Sequence, residues 1–92
     1  MATIQITYCM QCRWLLRAAW MAQELLTTFD GEIESLTLIP ATGGVFTVTA
    51  TEQIAWDRKT EGRFPDITEL KQRVRDIIAP AQDLGHADRK TD

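Results

Sequence analysis

The chain holds two cysteines, Cys9 and Cys12, and both fall in one short stretch, ITYCMQCRW, from Ile6 to Trp14. A Cys-x-x-Cys pair supports three readings. A single helical turn brings its sulfurs to bonding distance, so the pair can cycle between dithiol and disulfide. It can also supply half of the four ligands of a closed zinc site, or be two packed thiols with no chemistry. A reducing cytosol does not favour a permanent structural disulfide, which puts redox chemistry first and metal binding second. The metal reading is short of ligands: the one other soft donor is His86, near the polar end of the chain. A zinc site would need carboxylates or the cysteine pair of a second subunit. The catalytic candidates are therefore Cys9 and Cys12, with no bound cofactor implied.

Reactivity depends on thiolate, and the elements around the pair decide how much forms. The pair sits between a strand-like run and a helix-like one. If that helix begins near Cys9 to Cys12, its unpaired amides and positive dipole end lie beside the sulfurs and favour thiolate. Arg13 and Arg17 add positive charge there, as a minor contribution from solvated side chains.

Thr3 to Tyr8 alternates, with Ile4, Ile6 and Tyr8 on one face, which is the period of a strand. From Arg13 to Phe29 the period becomes helical. Trp14, Ala18, Met21, Ala22, Leu25 and Phe29 share a face, widened by Leu15, Ala19 and Leu26, and Asp30-Gly31 ends the helix. Glu32 to Ile39, Val45 to Ala50 and Gln53 to Asp57 read as strands. The last two are joined by Thr51-Glu52, a hairpin's length without the glycine such turns favour. Arg58 to Pro65 reads as a loop. Asp66 caps a second helix, with Glu69 as its capping-box partner. That helix turns Ile67, Leu70, Val74, Ile77 and Ile78 inward and Lys71, Gln72, Arg73, Arg75 and Asp76 outward, and Pro80 stops it. Residues 1–80 thus form one domain, and 81–92 a polar tail expected to fray. The order is strand, helix, strand, strand, strand, helix. This is an α/β domain with a parallel first pair, a right-handed crossover and antiparallel additions.

Composition fits. Ninety-two residues suffice for one small domain, and 45% apolar with 25% charged residues is ordinary for a soluble globule. No apolar run approaches the roughly 20 residues of a membrane span. Met1-Ala2-Thr3-Ile4 leads into strand pattern and not into a signal peptide, so a cytosolic location is expected. A net charge of -3 with scattered Arg and Lys argues against a nucleic-acid binder.

Read together, YCMQCRW, QELLTTF, GGVFTV, WDRKTEGRFPD and LGH resemble the Rdx family, the selenoprotein W, T and H group, over nearly the full length and in the same order. The resemblance implies a thioredoxin-like fold, a four-stranded mixed sheet of order 2-1-3-4, and a thiol-based role in cell redox homeostasis. Selenocysteine members carry selenium at the second motif position, which is Cys12 here. That favours Cys12 as nucleophile, whereas general thioredoxin logic favours Cys9. The resemblance also overrides local pattern. Pro40-Ala41-Thr42-Gly43-Gly44 alone would read as a turn between adjacent antiparallel strands, but order 2-1-3-4 carries this connection past the end of the first strand, near the cysteines. Thioredoxins place a cis-proline against the pair, and Pro40 is the one proline positioned to imitate it; a trans bond is the expectation.

The expected partners are protein thiols or a low-molecular-weight thiol such as glutathione. Cys12, Leu16 and Trp20 form one stripe, and two roles weigh equally for it: a docking or homodimer surface, or packing under the second helix. Trp14 and Trp56 read as core. Arg58, Lys59 and Arg63 could meet an anionic substrate, although such loop charge is more often solvated surface. Two other classes compete with a redox enzyme: a redox-sensing interaction module and an intersubunit metal protein.

Overall fold

The computed structural model describes residues 1–85. His86 and the residues after it in the expected tail lie outside them. Strand β1 spans Ala2–Cys9, helix α1 Leu15–Thr28, β2 Ile33–Ala41, β3 Phe46–Ala50, β4 Gln53–Asp57, a one-turn helix α2 Arg58–Glu61, and α3 Ile67–Ile78. The sheet order is β2-β1-β3-β4, with β1 and β2 parallel and the other two pairings antiparallel.

Alternation along β1 decides which side of the sheet is covered. Ile4, Ile6 and Tyr8 are buried, while Thr3 and Gln5 are exposed. Both helices lie on the buried side, α1 against β1 and β2, α3 against β3 and β4, and the two touch each other. The core is Ile4, Ile6, Phe46, Val48 and Trp56 from the sheet, closed by Met21, Leu25, Phe29, Leu70 and Val74 from the helices. The second helix starts as expected: Glu69 accepts the Asp66 N–H at 3.3 Å and completes the capping box.

Four departures from the sequence reading have local causes. Helix α1 begins at Leu15, two residues after the expected Arg13, because Arg13 adopts a left-handed conformation at φ 60°. Leu15 and Leu26, expected to widen the inner face, are 47% and 45% exposed, so the buried arc is narrower than its apolar sequence. The stretch after β4 is not all loop. Asp57 accepts the Lys59 N–H at 3.1 Å and caps α2, which Gly62 ends at φ 79°. In β4, Ala55 and Trp56 are both buried although adjacent, since Thr49 pairs with Ile54 and Val48 with Trp56, leaving Ala55 as a bulge.

Glu69 also holds Arg63 through two 2.8 Å bonds, and this guanidinium, ahead of the Asp66 N–H, keeps its carboxyl at about 2 against an ordinary 4.5. A carboxylate held low contributes stability fully above its unfolded value and loses it as pH falls through the folded one. Stability should therefore decline as pH falls from about 4.5 towards 2, and Glu69→Gln should flatten that decline in urea unfolding followed across pH. An equally steep decline in the variant would contradict this.

Candidate redox site

Cys9 is the last residue of β1, and its neighbour across the sheet is Ala41 at the end of β2. The chain then leaves the sheet in a tight turn. Met10 N–H reaches Ala41 O at 2.9 Å, Arg13 N–H closes onto Met10 O at 3.2 Å, and Trp14 N–H returns to Cys9 O at 3.4 Å. Reversing direction in so few residues requires a left-handed position, and Arg13 takes it at a cost of about 1 kcal/mol for a residue with a Cβ. Both cysteines are free, and the turn leaves their sulfurs 2.7 Å apart. A disulfide needs about 2.05 Å, so bond formation takes only a small approach.

The two thiols differ in surroundings. Cys9 is 1% exposed, and Cys12 is exposed. Cys9 lies below the ordinary thiol value, first because Cys12 S–H donates to it, then through the backbone N–H groups of Gly44, Cys12 and Gln11, with burial acting in opposition. Cys12 lies above it: as the donor it keeps its proton, and burial and the negative charge on Cys9 add to that, against the Gly44 N–H and the Arg58 charge. In the reduced pair the Cys12 S–H donates to the Cys9 sulfur, which favours the thiolate form at Cys9 over that at Cys12.

Helix α1 begins after the turn, so the expected contribution of a helix starting at the cysteines is replaced by loop amides. One of these comes from the connection after Pro40. Every peptide bond described is trans, Pro40 included, and Pro40 lies within β2 opposite Tyr8. A cis-proline contact is thereby excluded. As the expected sheet order requires, the connection does run past the end of β1, and the group it delivers is the Gly44 N–H. Gly43 and Gly44 have φ of 81° and 71°, a conformation that strains any side chain, which gives the Gly-Gly pair its purpose. The sequence places this connection near the cysteines, but two consecutive glycines alone do not show that one of their amides meets the sulfurs.

Beside the turn lies an aromatic cluster. Trp14 meets Phe64 edge-on at 4.8 Å and Phe46 at 6.4 Å, and Phe46 meets Phe64 at 5.1 Å. Trp14 is only partly buried, whereas Trp56 is fully so. The stripe continuing from Cys12 is open: Leu16 is 83% and Trp20 48% exposed, so α3 does not cover them. Among the described residues, no cluster of three or more His, Cys, Asp and Glu could hold a metal, and no helix is long and apolar enough to cross a membrane.

Titration of the reduced protein by thiolate ultraviolet absorbance should show one inflection below the ordinary thiol value and one above it. Cys12→Ala removes the side-chain donor to Cys9 and should raise the Cys9 inflection; an unchanged value would assign the shift to the loop amides alone.

A mixed sheet ordered β2-β1-β3-β4, with a Cys-x-x-Cys turn at the end of its first strand, defines a thioredoxin-like protein. Comparison with known proteins narrows the class. The Rdx family model matches residues 3–76, and the chain belongs to the Rdx family, whose members are generally redox-related. It is similar to a solved selenoprotein W-related protein from Vibrio cholerae, at 55% identity and a TM-score of 0.82, over 84% of this chain and 96% of that one. It is also similar to a solved protein from Bordetella parapertussis, at 54% identity and a TM-score of 0.80, over 83% of this chain and 96% of that one. No curated protein matches.

Proposed function

We propose that this protein is a thiol-disulfide redox protein in which Cys12 attacks and Cys9 resolves. The carrying observation is the asymmetry of two free sulfurs 2.7 Å apart, Cys12 reachable and donating to a sealed Cys9 whose thiol is shifted below the ordinary value. As the Cys12 sulfur attacks a substrate disulfide, its proton passes to the Cys9 thiolate. A bond forms from Cys12 to one substrate sulfur, the substrate S–S bond breaks, and the other substrate sulfur leaves as thiolate. Cys9 then gives its proton to that thiolate, attacks the Cys12 sulfur and expels the remaining substrate sulfur. Two electrons pass from the pair to the substrate, which leaves as one thiol and one thiolate. Two low-molecular-weight thiol molecules, such as glutathione, restore the dithiol by the reverse exchange.

Protein disulfides fit as substrates because Cys12 heads the open Leu16 and Trp20 stripe. Reduced protein mixed with bis(2-hydroxyethyl) disulfide should lose two hydrogens in its intact mass and release two equivalents of mercaptoethanol. No reaction, or an adduct that never resolves, would overturn the reading. A Leu16→Ser, Trp20→Ser double variant should keep that reaction and slow the reduction of a protein disulfide; equal slowing of both would remove the docking role.

A further inference from the structure

The cations of the described residues divide into two sets. Arg63, Lys71, Arg73 and Arg75 each hold a carboxylate, those of Glu69, Glu24, Glu61 and Asp76. Among the described residues, Arg13, Arg17, Arg58 and Lys59 hold none. Three of these border the cysteine turn. Arg13 follows Cys12 in the chain, and the other two stand on the aromatic cluster next to it. The Arg17 guanidinium lies 4.0 Å from the Phe64 ring centre, and that of Arg58 lies 4.9 Å from both the Trp14 and Phe64 ring centres. Trp14 itself closes the turn onto Cys9.

Arg58 carries a second mark. Its Nε is shut off from solvent and donates to nothing. Buried donors almost always find an acceptor, so an unpartnered one on a charged group calls for an explanation, and an anion held by this guanidinium is one that fits. The charge of Arg58 is also felt at Cys12. The cluster that loop composition assigned to Arg58, Lys59 and Arg63 is therefore split by the fold: Arg63 is committed to Glu69, and Arg58 is turned to the redox site.

We propose that Arg17 and Arg58 form a carboxylate-recognition subsite beside Cys12, which selects disulfides carrying an acid group close to the reacting sulfur. The proposal deepens the redox reading and rests on it. Aromatic faces hold both guanidiniums without neutralising them, so their charge stays available to a substrate. Among the described residues, no carboxylate pairs with either.

The test compares three disulfides of similar size that differ in charge: 3,3′-dithiodipropionate, bis(2-hydroxyethyl) disulfide and cystamine. Rates with reduced protein are divided by those with dithiothreitol at the same pH, which removes intrinsic reactivity. Contacts between exposed charges give a few-fold each, so the two together should favour dithiodipropionate over the neutral disulfide by about 10-fold, with cystamine slowest. The preference should shrink towards one in 1 M salt, where the screening length is about 3 Å. Arg17→Gln with Arg58→Gln should abolish the preference, and Arg58→Lys with Arg17 intact should retain most of it. A wild-type preference near one, or one that survives both glutamines, overturns the subsite while leaving the redox reading in place. Failure of all three disulfides to react would instead sink the redox reading, and the subsite with it.

Discussion

Replacing Cys9 with serine is expected to turn a transient adduct into a stable product. In the wild type, a substrate sulfur bound to Cys12 faces the Cys9 sulfur, placed 2.7 Å from Cys12 before reaction, so resolution is intramolecular. Removing that neighbour leaves only external thiols, and the effective concentration lost in such a change corresponds to a slowing by about two orders of magnitude or more. Intact mass should show one substrate thiol held on Cys12. Cys12→Ser should behave in the opposite way: the remaining sulfur is 1% exposed, and mixed-disulfide formation should fall by a comparable factor. Accumulation of the adduct on Cys9 in a Cys12→Ser protein, at the wild-type rate, would reverse the assignment of roles. This pair of variants decides between the two expectations that the family resemblance and general thioredoxin logic place in conflict.

The second large effect concerns Trp56, which is fully buried under α3 and whose Nε1 donates to Arg63 O at 3.0 Å. Arg63 and Arg73 lie over its ring at 5.0 and 4.3 Å and carry the ion pairs to Glu69 and Glu61. Trp56 therefore ties β4, the α2 turn and α3 together. Trp56→Ala should cost about 3–5 kcal/mol through lost transfer energy and the cavity left behind. Trp56→Phe keeps most of the ring, leaves Arg63 O without that donor and should cost about 1–2 kcal/mol. Urea unfolding measures both. A loss below about 1 kcal/mol for the alanine variant would mean that the neighbouring segment collapses into the space or does not depend on Trp56. In a small domain, the larger loss is a substantial share of total stability.

Most elements were legible because their periods are unambiguous. Ile4, Ile6 and Tyr8 alternate, Ala18 to Phe29 and Ile67 to Ile78 recur at helical spacing, and Asp66 with Glu69 marks a start; each ended where the burial pattern puts it. The sheet order was not legible from pattern. A short connection between β2 and β3 has the look of a hairpin, and nothing local shows that β1 lies between them. That came from the resemblance.

The site was legible to the level of Cys9 and Cys12 and no further. What separates the two sulfurs is their own hydrogen bond and the burial of Cys9, which depend on the folded turn, while the Gly44 amide and the Arg58 charge, both far away in sequence, also act on the pair. The left-handed Arg13 hid the true start of α1, since arginine carries no preference for that conformation. The one-turn α2 escaped because a few polar residues before a glycine have no period to read. Leu16 and Trp20, weighed equally between docking and packing, turned out open because α3 leaves that side of α1 uncovered.

The most direct test of the central claim is an equilibrium titration of metal-free protein against glutathione buffers of graded potential, quenched by alkylation and read by intact mass. A dithiol-disulfide cycle predicts a reversible two-electron transition of Cys9 and Cys12, with a midpoint in the range of about -180 to -270 mV spanned by known oxidoreductases. Failure to form the intramolecular disulfide at any poise would contradict it and leave the pair to metal binding or packing.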